Sequence, residues 1–389
     1  MEIGIGKRAV SLLLALLLAV GAAFSLAPQA DAAEPEVSAP AAVLMEFSSG
    51  EVLYERGAHD KRPCASITKV MTLLLVFEAI ENGQLDYDTV LSASAHAAGM
   101  GGSDIWLKEG EQMTVDDLIK ACVVMSANDA AVVLAEAVAG SEDAFVERMN
   151  TRAAALGMED TTFKNCNGLD EEGHITSAYD VAVMSRALMQ HERIFDYTTI
   201  WIDYVRNGET QLVNTNKLVR SYNGIKGLKT GTTSAAGSCV SACAERDGMT
   251  LISVILGAGS TDERFDSAAA LLDFGFANWK TITPELPELP VMPVTKGMVN
   301  EVALSALPPV GVLVPTAGEN TVDYVFSLPE SVEAPVYAGQ EIGKLQVTLN
   351  GEVVQELPVT AAESVEPITF LSALRWLWDC FLLKGTVSK

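Results

Sequence analysis

The chain has 389 residues, 49% of them hydrophobic, which is enough to bury a large core and to form more than one domain. Its formal net charge of −25 at pH 7 argues against binding to a nucleic acid backbone, because such binding needs clustered Lys and Arg side chains. The composition therefore predicts a folded, acidic protein and excludes nucleic acid as a favoured partner.

The first 32 residues have the order of a secretory signal peptide. Lys7 and Arg8 precede an apolar run from Ala9 to about Leu26, and the small residues Ala30-Asp31-Ala32 follow. A retained N-terminal membrane helix is the alternative, but the small residues and the polar, Pro-containing stretch after them favour cleavage. We expect residues 1–32 to be removed on export.

Residues 33–283 have the pattern of a domain with helices packed on an antiparallel sheet. Short apolar runs predict a first hairpin, and two β-branched runs joined by Arg246-Asp247-Gly248 predict a second one. The hairpins are expected over residues 42–54 and 238–256, and helices over 66–83, 114–122, 130–138 and 267–276. The predicted fold class of this segment is therefore α+β.

Four prolines punctuate residues 284–293 and predict a semi-rigid linker, since proline fixes its backbone angle and lacks an N–H donor. Residues 294–361 then offer short Val-rich runs separated by Gly and Pro, which is typical of a small β-sandwich. The linker prolines are Pro284, Pro287, Pro290 and Pro293.

The tail, residues 362–389, has the pattern of an amphipathic helix. Its apolar side chains fall on one side of a helix, while Ser372, Arg375 and Asp379 fall on another. These apolar residues are Phe370, Leu371, Leu374, Leu377, Trp378 and Phe381. The stretch is shorter than the roughly 20 apolar residues of a spanning helix, so it favours a helix lying on a membrane surface. A helix docked on its own domain is the alternative.

The cysteines are dispersed, and no Cys-x-x-Cys pair exists. This spacing predicts small buried residues more than a disulfide framework or a zinc site, although export leaves a disulfide open. Cys239 and Cys243 share one face of either a strand or a helix and are expected to be neighbours in the core. The six cysteines are Cys64, Cys122, Cys166, Cys239, Cys243 and Cys380.

Ser66 and Lys69 are three residues apart at the start of a predicted helix, where they face the same side. A serine hydroxyl is a weak nucleophile unless a base takes its proton, and a desolvated lysine can have a pKa low enough to do so. The helix N-terminus adds N–H groups that favour a developing oxyanion. Taken alone, a helix-capping Ser66 with a solvated Lys69 explains the pair equally well.

Two further motifs make the catalytic interpretation stronger. Ser126-Ala127-Asn128 lies between two helical segments, where a turn could present a hydroxyl and an amide. Ser221-Tyr222-Asn223 repeats the tripeptide, so that motif has little specificity alone. Lys229-Thr230-Gly231 opens a strand and offers a positive charge, a hydroxyl and close backbone access. The three motifs occur in order, each on the expected element.

Together the motifs Ser-x-x-Lys, Ser-x-Asn and Lys-Thr-Gly resemble those of the penicillin-binding protein and serine β-lactamase superfamily. The surrounding stretches are most similar to the low-molecular-mass D-alanyl-D-alanine carboxypeptidases. This resemblance covers nearly the whole chain and implies a transpeptidase-like peptidase domain over 33–283, the small β domain and an anchoring tail. Asn167 stands where relatives often have histidine, which is a small departure.

The resemblance also implies a role for each site residue. Ser66 would attack the carbonyl between the terminal D-alanines, with Lys69 as base and Ser126 as proton relay to the leaving amine. Asn128 would hold Lys69 and the substrate amide. Substrate-binding roles are implied for Asn128, Lys229, Thr230, Gly231, Thr232 and Arg264. The backbone N–H groups of Ser66 and Thr232 would form the oxyanion hole, and a solvated Arg264 is as well supported as one in the site.

Two rival functions share these motifs. A serine β-lactamase needs a deacylating base, and the region 161–180 offers Glu171 and Glu172 but no Glu-x-x-Leu-Asn pattern. A non-catalytic penicillin-binding sensor or scaffold is the other rival, and the intact Ser66 and Lys69 argue against it. The resemblance implies peptidoglycan stem peptides as substrate, acylation by β-lactams, no metal or cofactor, and a position on the extracytoplasmic face of the bacterial membrane.

Overall fold

A computed structural model describes residues 34–381 of the chain, so the predicted signal peptide and the last eight residues lie outside the described residues. Within residues 34–283 the strands are β1 (Ala41–Glu46), β2 (Val52–Arg56), β3 (Val90–Ser92), β4 (Gln112–Thr114), β5 (Ile202–Val205), β6 (Thr210–Val213), β7 (Ile225–Thr233), β8 (Gly237–Arg246), β9 (Met249–Ala258) and β10 (Trp279–Ile282). The helices are α1 (Lys69–Glu81), α2 (Ala95–Ala98), α3 (Val115–Val124), α4 (Asn128–Ala139), α5 (Glu142–Ala155), α6 (Ala178–Met189), α7 (Phe195–Thr198), α8 (Leu218–Ser221) and α9 (Thr261–Asn278).

A five-stranded antiparallel sheet, in the order β2-β1-β9-β8-β7, is the centre of this domain. Both predicted hairpins are present, and the turn after β8 has Asp247 and Gly248 at φ values of 50° and 77°. Successive strand residues point to opposite faces of a sheet. On β1, Val43 therefore joins the core that contains α1, α3 and α4, while Leu44 joins the core under α9. Helices cover both faces of the sheet, which confirms the α+β prediction.

The first predicted helix begins differently from the expectation. Residues Ala65–Thr68 form a 3₁₀ turn, and the α-helix starts only at Lys69. Ala65 has a left-handed φ of 51°, which breaks the helix before Ser66. The other three helices were predicted correctly apart from their ends; α3, for example, is capped by the Thr114 side chain, which accepts a hydrogen bond from the backbone N–H of Asp117.

Residues 292–361 form an all-β region with its own apolar core. Its strands are β11 (Met292–Thr295), β12 (Glu301–Val302), β13 (Leu304–Ala306), β14 (Val312–Pro315), β15 (Val322–Ser327), β16 (Val332–Glu333), β17 (Glu341–Leu349) and β18 (Glu352–Ala361). They pair as a three-stranded sheet β12-β11-β16 and a four-stranded sheet β13-β18-β17-β15. Pro293, from the proline-punctuated stretch, lies within β11, and β10 pairs with β14 across that stretch.

Helix α10 (Phe370–Phe381) follows this region and leaves its apolar side exposed. Phe370 is 82% exposed, Leu371 75% and Leu377 57%. These values contradict a helix that docks its apolar side on its own domain. Among residues 34–381, no helix is both long and apolar enough to cross a bilayer.

Five of the cysteines, all between residues 64 and 243, behave as small core residues, as predicted. Cys64, Cys122, Cys166, Cys239 and Cys243 are all buried and unpaired with one another. Cys239 and Cys243 both lie on β8 and belong to the same core cluster, which confirms the expectation from their spacing.

Candidate active site

Ser66 and Lys69 meet at the junction of the 3₁₀ turn and α1. Lys69 is fully buried, and its Nζ donates to Ser66 Oγ at 3.0 Å. The same amine donates to Asn128 Oδ1 at 2.6 Å and to the backbone carbonyl of Asn167 at 2.7 Å. Three neutral oxygens thus surround Lys69, and no salt bridge to it is present among the described residues. The alternative of a solvated Lys69 is wrong.

Burial lowers the pKa of Lys69 from 10.5 to about 8, since a charged amine loses its hydration there. The thiols of Cys122 and Cys166 and the carboxylate of Asp129 oppose this change. An amine with a pKa near 8 is neutral in about one molecule in ten at pH 7, far more often than an ordinary lysine. It can therefore accept a proton from the hydroxyl that it already contacts.

The Ser-x-Asn motif lies in the turn between α3 and α4. Ser126 is 5% exposed with a left-handed φ of 64°, and its buried Oγ has no hydrogen-bond partner within residues 34–381. A strained residue with an unsatisfied buried hydroxyl is characteristic of a functional site. Asn128 opens α4, and its Nδ2 donates to the Gly101 carbonyl at 2.6 Å. That bond orients the amide so that Oδ1 faces Lys69.

The Lys-Thr-Gly motif lies on β7, one of the two edge strands of the five-stranded sheet. Lys229 is 2% exposed, and its pKa falls to about 7 because of burial first and the nearby Lys69 charge second. Its Nζ donates to the Thr230 carbonyl at 3.0 Å. The Thr230 hydroxyl lies 2.6 Å from the hydroxyl of Thr215, a residue that the sequence did not single out. A buried amine and a hydroxyl thus follow each other on one strand.

Gly231 lets β7 approach the backbone of the 3₁₀ turn. A Cβ added at Gly231 would lie 2.8 Å from the Ser66 nitrogen and 2.7 Å from the Cys64 carbonyl oxygen. Gly168 packs against the same turn from another direction, where an added Cβ would lie 2.9 Å from the Ser66 nitrogen. Only glycine permits such approaches. The peptide unit before Ser66 is therefore held between two glycines.

Arg264 is not a solvated arginine at a helix start. It is 5% exposed, and its Nη1 donates to Thr232 Oγ1 at 2.9 Å, to the Gly231 carbonyl at 3.1 Å and to the Cys239 carbonyl at 3.3 Å. The guanidinium thus ties α9 to the end of the Lys-Thr-Gly segment. Thr232 itself is exposed at the edge of the sheet.

Sequence reasoning missed several contributors. The Asn167 carbonyl completes the surroundings of Lys69. A backbone carbonyl cannot be recognised from residue type, and the only signal in the sequence is the Asn-Gly pair at 167–168, which marks a turn.

Ser221, in the second Ser-x-Asn, ends α8 on the surface and donates to the Lys217 carbonyl, so it lies outside the site.

The four histidines make no hydrogen bond to Ser66. His59, His96 and His191 pair with carboxylates, and only His174 is buried. Burial lowers the pKa of His174 to about 4, and its Nε2 lies 2.8 Å from the Thr68 hydroxyl. Within residues 34–381, no cluster of three or more His, Cys, Asp or Glu side chains could hold a metal ion.

Comparison with known proteins agrees with this geometry. Residues 28–260 match the family model described as D-alanyl-D-alanine carboxypeptidase, and residues 290–367 match the C-terminal domain of penicillin-binding protein 5. The chain is 37% identical to D-alanyl-D-alanine carboxypeptidase DacF of Bacillus subtilis over 95% of this chain and 97% of that protein. It is 34% identical to DacC of Escherichia coli over 94% and 95% of the two chains.

Solved structures share the fold over most of the chain. Penicillin-binding protein 5 from Haemophilus influenzae superposes with a TM-score of 0.72 at 28% identity, over 86% of this chain and 99% of that one. A Streptococcus pneumoniae protein, PBP3, gives a TM-score of 0.71 at 27% identity, over 85% and 100%. By motif geometry, family match and overall fold, the chain belongs to the D-alanyl-D-alanine carboxypeptidase family and is a serine-type carboxypeptidase of the low-molecular-mass penicillin-binding proteins.

Proposed function

We propose that this carboxypeptidase removes the terminal D-alanine of a peptidoglycan stem pentapeptide through an acyl-enzyme on Ser66. Ser66 Oγ forms a bond to the carbonyl carbon of the penultimate D-alanine, and its proton passes to neutral Lys69. The C–N bond then breaks, and the leaving D-alanine takes a proton at its nitrogen. Water hydrolyses the resulting ester and restores Ser66.

The observation that carries this proposal is the 3.0 Å contact between Ser66 Oγ and a fully buried Lys69. Burial keeps the lysine pKa near 8, and two neutral oxygens, Asn128 Oδ1 and the Asn167 carbonyl, aim the amine at the hydroxyl. A lysine that merely stabilised the fold would be expected to have a carboxylate partner at this depth. Among residues 34–381, none of the hydrogen bonds of Lys69 goes to a carboxylate.

Ser126 is the proposed relay that returns a proton to the leaving amine. Its buried Oγ has no hydrogen-bond partner within residues 34–381, so its lone pairs and its proton are not committed to another group there. Asn128 holds Lys69 through Oδ1 and offers the substrate amide an amide partner. These two roles follow the family resemblance, and the hydrogen-bonding capacity of both side chains supports them.

The substrate carboxylate is proposed to bind Lys229 and Thr230, with Arg264 fixing the strand that carries them. A bound carboxylate would favour the charged form of Lys229 and so oppose the effect of burial. The backbone N–H groups of Ser66 and Thr232 are the proposed oxyanion hole. The close approach of Gly231 to the Ser66 nitrogen supports this pairing.

Penicillins are proposed to acylate the same serine. A Listeria monocytogenes relative, penicillin-binding protein D2, was solved in its ampicillin-bound form and is 35% identical over 62% of this chain, with a TM-score of 0.57. Rapid β-lactam hydrolysis is disfavoured here, because Glu171 and Glu172 are both exposed and Glu171 accepts a hydrogen bond from Asn165. Stable acylation therefore separates this enzyme from a β-lactamase.

We further propose that the protein works outside the cytoplasm and rests on the membrane surface. Its order would be a signal peptide over 1–32, the peptidase domain over 33–283, a linker over 284–293, a β-sandwich over 294–361 and an anchoring tail over 362–389. The exposed apolar side of α10 supports the last part, since such a surface gains free energy when an interface covers it.

Release of D-alanine from a diacylated peptide ending in D-Ala-D-Ala tests the mechanism. The purified protein should release D-alanine, Ser66→Ala should release none, and Ser126→Ala should be slowed by about 10²-fold or more. Ser221→Ala is the matched control, because it removes a serine from the same tripeptide on the surface, and it should match the wild type. Continued release by Ser66→Ala would refute the proposal.

A further inference from the structure

His174 is the one buried histidine of the described chain that the proposed reaction does not use. It is 4% exposed, and the edge of its ring meets Phe163 at a centroid distance of 5.8 Å. Its Nδ1 accepts a hydrogen bond from the backbone N–H of Lys164 at 3.1 Å. Its Nε2 lies 2.8 Å from Thr68 Oγ1, and Thr68 is fully buried next to Lys69.

These contacts fix the tautomer and the direction of a hydrogen-bond chain. A backbone N–H can only donate, so Nδ1 of His174 must be unprotonated and Nε2 must carry the proton. Nε2 therefore donates to Thr68 Oγ1. The Thr68 hydroxyl in turn donates to the Ala65 carbonyl at 2.9 Å. This hydrogen-bond chain therefore runs from the Lys164 backbone N–H through His174 and Thr68 to the Ala65 carbonyl.

The last bond of this hydrogen-bond chain, at the Ala65 carbonyl, controls the orientation of the peptide unit that contains the Ser66 N–H. The carbonyl of Ala65 and the N–H of Ser66 belong to one planar trans peptide and point in opposite directions. Fixing the carbonyl therefore fixes the N–H. Ala65 also has a φ of 51°, a conformation that a non-glycine residue keeps only when its surroundings impose it.

We propose that His174 is a positioning residue that aims the oxyanion-binding N–H of Ser66 through Thr68 and the Ala65 carbonyl. This inference rests on the proposed function, in which the Ser66 N–H binds the oxyanion. His174 touches neither substrate nor nucleophile. Its loss should weaken stabilisation of the tetrahedral state and leave ground-state binding at Lys229 unaffected.

Two substitutions at His174 separate positioning from a structural role. In His174→Asn the amide oxygen replaces Nδ1, so the Lys164 N–H keeps its acceptor while Thr68 loses its donor. In His174→Gln the longer amide reaches the place of Nε2 and can donate to Thr68. Thr68→Val removes the hydroxyl at nearly constant shape, and Thr68→Ser retains it. His59→Gln, at an exposed histidine, is the control.

The experiment measures the acylation rate constant with a fluorescent penicillin, kcat and KM for the D-Ala-D-Ala peptide, and inhibition by a peptide boronic acid whose adduct is tetrahedral. Folding is checked by circular dichroism. His174→Asn and Thr68→Val should lose about 10 to 100-fold in acylation and kcat, and weaken boronate inhibition similarly, with KM little changed. His174→Gln and Thr68→Ser should recover most of that loss, and His59→Gln should lose nothing.

Wild-type acylation in folded His174→Asn, or equal losses in the Asn and Gln variants, would overturn the inference. If the His174 variants do not fold, the Thr68→Val and Thr68→Ser pair decides by the same criterion. Penicillin labelling of Ser66→Ala separates failure of this inference from failure of the proposed function. If Ser66→Ala is still labelled, the proposed function and this inference are both wrong. If Ser66→Ala is not labelled but His174→Asn is acylated at the wild-type rate, only this inference is wrong.

Discussion

Lys69 and Leu377 lie in opposite surroundings: the lysine amine is fully buried in the peptidase domain, and the leucine on α10 is 57% exposed. Neither placement helps the chain to fold, because burying an amine costs hydration and exposing a leucine forgoes its hydrophobic stabilisation. The difference lies in what each region does with side chains that are costly to place. The peptidase domain holds polar groups in a dry, organised site, and α10 leaves apolar groups exposed.

Replacing Lys69 by Met gives the largest expected effect. The base would be lost, so acylation by a fluorescent penicillin should fall by about 10³-fold or more. Stability should not fall in parallel, because an apolar side chain of similar length replaces a buried amine. Stopped-flow acylation and thermal melts check the two parts. A large loss of stability with retained acylation would show that Lys69 is structural.

Gly231→Ala tests the close approach of β7 to the Ser66 turn. The new Cβ would lie 2.8 Å from the Ser66 nitrogen and 2.7 Å from the Cys64 carbonyl oxygen. Both are backbone atoms, which cannot rotate away. The strand must shift, so acylation should fall by about 10²-fold, with a loss of about 1 to 3 kcal/mol in unfolding free energy. Urea unfolding and penicillin labelling measure both. Unchanged acylation would show that Gly231 is not needed to form the oxyanion site.

The apolar side of α10 is tested by Leu374→Glu with Leu377→Glu. Each leucine gains free energy when it leaves water, so the double variant should partition to anionic lipid vesicles at least about tenfold less. Release of D-alanine from a soluble peptide should not change. Arg375→Gln, on the polar side, is the control and should keep most of its binding. Equal sedimentation of wild type and double variant with vesicles would refute the anchor.

The buried lysines also predict a pH dependence of stability. The folded pKa of Lys69 is about 8, below its ordinary 10.5, so between these values the unfolded chain binds a proton that the folded chain does not. The unfolding free energy contributed by this group therefore rises from about pH 8 to 10.5 and is lost as pH falls through 8. Urea unfolding across this range should show a smaller rise in Lys69→Met. If the unfolding free energy of the two proteins rose equally with pH, the lowered pKa of Lys69 would be contradicted.

The sequence predicted what depends on local spacing and failed where tertiary contacts decide. Ser66 and Lys69 are close because of helical geometry, and the structure brings Asn128 and the β7 motif to them. The two placements of Arg264 could not be separated, since burial depends on β7 and β8. The left-handed Ala65 was missed, because an isolated alanine avoids that conformation and only surrounding contacts impose it.

The surroundings of α10 likewise could not be predicted from local spacing. Spacing predicted which side chains share a face, but it left docking on the chain's own domain as an alternative. Exposure decided against docking, since contacts between distant segments determine what covers a helix. The linker boundary is a further example: Pro293 lies within β11, the middle strand of its sheet, at a position that pairs with β12, while the pairing with β16 begins at Val294. These partner strands are distant in sequence, so local spacing could not place the boundary.

Intact-mass analysis after penicillin treatment is the sharpest test that Ser66 is the acylated nucleophile. We expect one added penicillin mass per chain, located by peptide mapping on the segment that contains Ser66 and absent from Ser66→Ala. An adduct of the same mass in Ser66→Ala, or one mapped to another residue in the wild type, would contradict it.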